Sequence, residues 1–344
     1  MKRSVTPVLI AFVAALLFGA ATPASKLLLA SLSPFQLAGL LYLGAALAML
    51  PVLLLRPHVR LTQLDAANRR RLFGAVTAGG LIAPVLLLAG LRLAPAGSVS
   101  LLLNLEMAAT AVLGALVFHE PLRRIGWVGA AGIVVAGAML SGGDWPGIAA
   151  ALLVAGACLG WALDNHFTAL IDGITPAVST FWKGAVAGSV NLAIGVAIAP
   201  LAATRREIGA ALTVGALAYG VSIALYIRAA QQMGAVRAQA VFASAPFIGA
   251  LLSYGLLGEP LDPTTIGAAA LLVGSGGLLF GGVHAHLHRH PPVDHVHSHR
   301  HDDDHHQHPH ADLPYAARHS HPHRHDEIVH AHPHWPDLHH RHEH

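Results

Sequence analysis

Read for polarity alone, residues 1 to 283 are a succession of apolar runs separated by short polar links. The runs fall near 5–23, 34–55, 72–91, 95–118, 124–140, 147–167, 176–200, 207–230, 235–257 and 263–282. None alternates apolar and polar positions, so they are not the roughly ten-residue strands of a membrane barrel. Each approaches the roughly 20 residues, at about 1.5 Å rise per residue, that a helix needs to cross hydrocarbon. The pattern predicts an all-α integral membrane protein of ten transmembrane helices. Beyond residue 283 it stops: residues 284–344 carry almost no aliphatic side chains, cannot bury a core, and are expected to be disordered.

The runs also repeat. Residues 95–122, PAGSVSLLLNLEMAATAVLGALVFHEPL, and 234–261, GAVRAQAVFASAPFIGALLSYGLLGEPL, end in the same Glu-Pro-Leu, and a shift of 139 lays Glu120, Pro121 and Leu122 on Glu259, Pro260 and Leu261. That shift is close to half the apolar part, as expected of one five-helix unit used twice, over 1–141 and 142–283. Five crossings per unit turn the second copy upside down in the membrane. Lys2 and Arg3, the group Arg56, Arg60, Arg69, Arg70 and Arg71, and the pair Arg123 and Arg124 then mark cytoplasmic links and put both termini inside. Asp144 and Asp262 fall in outer links, whereas Arg205 and Arg206 lie in a link the scheme puts outside.

Composition narrows the class. With 54% hydrophobic and 11% charged residues, an ordinary soluble core would lack polar surface to cover it, so the lipid bilayer is the first expected partner. Cys158 is the single cysteine, which excludes disulfides and CxxC motifs. Lys2, Arg3 and the first run imitate a secretory signal, but this run supplies the first helix of a recurring unit and is expected to stay. Neither a Ser/His/Asp arrangement nor paired hydrolytic carboxylates nor a Gly-rich phosphate loop is present, so neither an enzyme nor nucleic-acid binding is expected. Pro23, Pro84 and Pro246 sit inside runs and predict kinks. Gly126, Gly129, Ala130 and Gly137 in the fifth run, with Gly267, Gly274 and Gly281 in the tenth, form close-packing faces for scaffold or a homodimer.

Charge inside the runs marks the candidate substrate site. Glu106 stands mid-run with Asn104 nearby and Thr110 one turn on; a charge at a membrane helix centre costs about 2.5–3.5 kcal/mol, so it is expected to face a partner or a wet cavity and to carry a proton in exchange for substrate. Asp164 and His166 follow in WALDNHFTAL, with Trp161 on the same face. Lys183 is expected either to pair with one of these acids or to snorkel to the headgroups. Arg228, with Tyr226 beside it, completes the set. The tail holds 23 of the 26 histidines, and its five Arg and nine acids leave it near −4 while they are neutral. Its His-x-His spacing predicts Zn, Ni or Co binding, through His321, His323, His325, His330, His332, His334, His339, His340, His342 and His344, with no cofactor required.

The two Glu-Pro-Leu turns, FHEPL and LGEPL, with the helix count and repeat order, resemble the EamA family of the drug/metabolite transporter superfamily. The resemblance covers residues 1 to about 283. It implies inverted repeats, alternating access and an exporter or exchanger in a bacterial inner membrane, with a small molecule as substrate. The family often carries a proline about thirteen residues before each turn; the second copy keeps Pro246, and the first has Glu106 and Met107 there. Three functions follow as expectations: export of a small metabolite, proton-coupled through Glu106; efflux of a divalent metal ion collected by the tail; or metal sensing with little transport.

Overall fold

The computed structural model describes residues 6–55, 64–118, 122–171, 174–233, 238 and 241–280 and four short strands of the tail. The membrane part is helical. Helix α1 is Thr6–Gly19, α2 Ala21–Leu28, α3 Pro34–Leu55, α4 Ala66–Ala75, α5 Ala83–Leu93, α6 Ala96–Leu102 and α7 Leu105–Val117. Then come α8 Arg124–Leu140, α9 Trp145–Ala169, α10 Pro176–Ile198, α11 Arg205–Val214, α12 Ser222–Met233, α13 Ala245–Leu257 and α14 Pro263–Phe280. The apolar runs fall on these helices. Seven continuous segments, among the described residues, are long and apolar enough to cross a membrane, and three shorter apolar helices, Arg124–Leu140, Ala245–Leu257 and Pro263–Leu279, accompany them.

Two of the long segments contain a π-helical turn: Val76–Ile82 joins α4 to α5, and Gly215–Val221 joins α11 to α12. The second turn begins 139 residues after the first, as α11 begins 139 after α4 and α9 139 after α1. Helix starts are set by ordinary caps. Asp65, Asp144 and Thr175 accept backbone N–H groups at the starts of α4, α9 and α10, and Thr204 with Glu207 forms a reciprocal capping box on α11. Helix α13 ends at Gly258, whose φ of 66° only glycine adopts without strain.

Helices pack through small residues, since lipid gives no hydrophobic drive between them. Along α3 and α10, Gln36 abuts Gly195, Gly39 abuts Leu192, Leu43 abuts Gly188 and Ala46 abuts Gly184; the rising and falling numbers mean that the two run antiparallel. The same holds for α8 and α14, where Gly129 meets Leu279, Gly132 meets Leu271 and Met139 meets Gly267. The small face of α8 is therefore occupied within the chain. At one end of the bundle Gln36 Nε2 donates to the Ala199 carbonyl (2.9 Å), and Lys26 Nζ to those of Leu91 (2.7 Å) and Ala94 (2.9 Å).

The tail departs from the expectation of disorder. Strand β1 (Ala285–His290) pairs antiparallel with β4 (Ile328–Pro333), and β2 (Val293–His299) with β3 (His319–His325). Backbone hydrogen bonding between strands needs no apolar core of its own, which is what the compositional argument overlooked. Of the expected metal ligands, His321, His323 and His325 lie on β3 and His330 and His332 on β4. His334, His339, His340, His342 and His344 lie outside the described residues.

Candidate functional site

Several polar residues of the bundle interior, Tyr42, Trp161, Asp164, Lys183 and Asn191, converge on the π-helical turn of Val76–Ile82. A wider turn leaves carbonyls without their usual donors, and Pro84, which has no N–H, removes the donor four residues after Gly80. Neighbouring helices supply the missing bonds. Tyr42 of α3 donates its hydroxyl to the Gly79 carbonyl at 2.6 Å, and Trp161 Nε1 of α9 donates to the same oxygen at 3.1 Å. Asn191 Nδ2 of α10 reaches the carbonyls of Gly80 (3.3 Å) and Leu81 (3.2 Å).

Gly79 and Gly80 also make room for charge. A side chain on Gly79 would overlap the Asp164 carboxylate, and one on Gly80 would sit 3.2 Å from Lys183 Cγ. In that space Lys183 Nζ lies 2.6 Å from both carboxylate oxygens of Asp164, and Thr168 Oγ1 donates to Asp164 Oδ1 at 2.9 Å. The acid is buried and the lysine nearly so, so Lys183 pairs and does not snorkel. Asp164 lies buried inside the bundle. Trp161 spends its N–H on Gly79 in a buried position, which removes it from an interfacial aromatic belt.

The next residue of α9 turns to the other acid: Asn165 Nδ2 donates to Glu106 Oε1 at 2.8 Å. Glu106 is half-buried on the first turn of α7, just past an interruption at Leu103–Asn104. Asn104 is buried and donates Nδ2 to the Leu101 carbonyl at 2.8 Å, so the helix breaks here without a proline. His166 stacks on Phe118, with ring centroids 4.2 Å apart, and its Nδ1 lies 2.7 Å from the Ala162 carbonyl. Thr110 is half-buried one turn beyond Glu106.

The structure thus joins Asn104, Glu106, Trp161, Asp164, His166 and Lys183 along α6, α7, α9 and α10. Tyr226 and Arg228 are not among these six; rings run from Tyr226 through Phe242, Phe18 and Tyr219 to Tyr42. Tyr226 and Arg228 both sit on α12, where Tyr226 packs on Phe242 with centroids 4.9 Å apart and Arg228 is exposed. Sequence reasoning missed Asn165, Asn191, Tyr42 and Gly79. Asn191 was visible as the polar break in VAGSVNLAIG, and Asn165 as the middle of three polar residues in LDNHF; Tyr42 and Gly79 gain their roles from the π turn alone. It also missed the capping done by the recurring turn. Glu259 accepts from the N–H groups of Ala96 (2.6 Å) and Gly97 (2.7 Å), fixing the start of α6. Its counterpart Glu120 lies outside the described residues.

A family model described as the EamA-like transporter family matches residues 5–142 and again 148–281. An uncharacterized transporter of Methanothermobacter thermautotrophicus is 28% identical over 274 residues, covering 72% of this chain and 78% of the relative. A solved crystal structure shares the fold with a TM-score of 0.57 at 19% identity, over 80% of this chain and 96% of the other.

Proposed function

This chain belongs to the EamA-like transporter family and is a multi-pass membrane transporter, and from that premise we propose that it exports a small organic metabolite in exchange for protons. In this reading two inverted five-helix repeats rock about the Glu106–Asp164–Lys183 cluster in a bacterial inner membrane, with both termini in the cytoplasm. The antiparallel course of α3 beside α10 and of α8 beside α14 supports inversion, because each pair holds corresponding positions in the two copies.

The observation that carries the reading is the unequal treatment of the two acids. Asp164 has a cation, Lys183, at 2.6 Å; among the described residues Glu106 has the neutral amide of Asn165 at 2.8 Å and no cation. An intramembrane carboxylate lacking a cationic partner is neutralised by a proton or by a positive group on the substrate. Exchange of one for the other is coupling, and Asp164–Lys183 is the fixed wall beside it. Because α7 belongs to the first repeat and α9 and α10 to the second, relative movement of the repeats would change the surroundings of Glu106.

A thermal-shift screen of metabolites and metal ions identifies the ligand, since binding to the folded state raises apparent stability. Flux of that ligand into proteoliposomes is then expected to disappear in Glu106→Gln while the protein inserts normally. Undiminished flux in that variant removes Glu106 from the mechanism.

A second reading, efflux of Ni, Co or Zn fed by the tail, is favoured by the strand register. His286 stands opposite His332, His288 opposite His330, His295 opposite His323, His297 opposite His321 and His299 opposite His319. Cutting the chain after Gly282 tests it: loss of metal tolerance in cells supports efflux, and unchanged tolerance and cell metal content reject it.

A further inference from the structure

Away from the polar cluster, a groove opens between α4 and α10 on the outer surface of the bundle. Two cavities of about 410 and 220 Å³ meet there, and Arg69 and Phe73 line both. Ala66, Arg69, Arg70 and Phe73 recur at the spacing of one helix face, so the guanidinium groups and the ring share a side of α4. Deeper along the groove the lining is apolar: Leu72, Val76, Trp182 and Val186. At about 1.5 Å per residue, Val76 lies about 10 Å below Arg69. The groove is therefore basic at one end and apolar below, graded along the helix.

Among the described residues the charges at its mouth have no other use. Arg71, next in the chain, is held by Asn68 Oδ1 (3.1 Å) and the Leu170 carbonyl (2.7 Å). Asp65, the nearest acid in sequence, accepts from Asn68 N (2.7 Å) and Nδ2 (3.0 Å). Among the described residues the guanidinium groups of Arg69 and Arg70 are exposed and have neither a hydrogen-bond nor an ion-pair partner. Phe73 is 73% exposed, a large ring left open beside two unpartnered guanidinium groups.

We propose that this groove binds an anionic phospholipid, its phosphate held by Arg69 and Arg70 and an acyl chain laid over Phe73 and against Trp182. Guanidinium groups match phosphate oxygens in forked geometry, and basic pockets between membrane helices select acidic headgroups. Val76 opens the π-helical turn whose Gly79 lies against Asp164, and Trp182 precedes Lys183, so a bound lipid braces the two helices behind the ion pair. The site does not depend on what the transporter carries.

The test uses the full chain, purified and stripped of lipid in a neutral detergent, with thermal unfolding as readout. Phosphatidylglycerol is expected to raise the midpoint by a few degrees, phosphatidylcholine of the same chains by much less, and inorganic phosphate not at all. The phosphatidylglycerol preference should vanish in the Arg69→Gln/Arg70→Gln double variant, persist in Arg69→Lys/Arg70→Lys, and persist in Arg205→Gln/Arg206→Gln. Equal shifts from both lipids would reduce the groove to general acyl contact. An equal shift from phosphate alone would make it a free-anion site, and a preference that survives the glutamine variant would place the lipid elsewhere; each overturns the proposal. Should the glutamine variant not fold, Trp182→Ala is measured in the same way, and an undiminished phosphatidylglycerol shift there overturns it too.

Discussion

At the scale of residues, the two acids are distinguished by their partners, and their variants should differ accordingly. Removing one member of a buried ion pair strands the other and costs about 3–5 kcal/mol. Asp164→Asn is expected to lower the denaturant midpoint in detergent markedly, and adding Lys183→Met should recover much of the loss. A double variant whose loss is the sum of the singles would show that the pair is not coupled. Glu106→Gln should leave that midpoint near the wild-type value, because a glutamine carbonyl still accepts from Asn165. Glu106, Asp164 and Lys183 were legible in the sequence because a charge in an apolar run demands an explanation. Asn165 was hidden by company: it sits between Asp164 and His166, where one more polar residue raises no alarm.

At the scale of elements, the deciding feature is the π-helical turn, and hydrophobic pattern does not reveal it. The sequence showed Pro84 and hence a kink; it did not show that the freed carbonyls would be taken up by Tyr42, Trp161 and Asn191 from three other helices. Leaving buried carbonyls unpaired costs about 1–3 kcal/mol, so Asn191→Leu should lower thermal stability by that order. An unchanged midpoint would mean that water or relaxation satisfies Gly80 and Leu81. Gly79→Ala is expected to act at the site as well: its methyl overlaps the Asp164 carboxylate, so the ion pair must shift and transport should fall more than stability. The interruption before Glu106 was also unread, because proline was the expected sign of a break and Asn104 does the work there.

At the scale of the whole molecule, the repeat was the most legible property, since a period of 139 is carried by many residues at once and survives local errors. The starts of α1 and α9, α4 and α11, α5 and α12, and α8 and α14 keep that period, and the family model matches the chain twice. The strand pairing of the tail was not legible, because low hydrophobicity argues against a core and says nothing of backbone ladders. Inversion makes a prediction of its own. Glu259 touches the start of α6, and α6 with α7 spans a membrane thickness before Leu122, so reagents should reach Asp262 and Leu122 from opposite sides of the bilayer. Labelling of both from one side would end the inverted-repeat account.

The most direct measurement asks whether the space beside Glu106 opens to both faces. Cys158 is the single native cysteine, so an Asn165→Cys variant in a Cys158→Ser background carries one thiol next to that acid. With a membrane-impermeant thiol reagent applied to oriented vesicles, alternating access predicts modification from the inside and, in separate vesicles, from the outside. Modification from one side alone, or from neither, contradicts a transport route through this cluster.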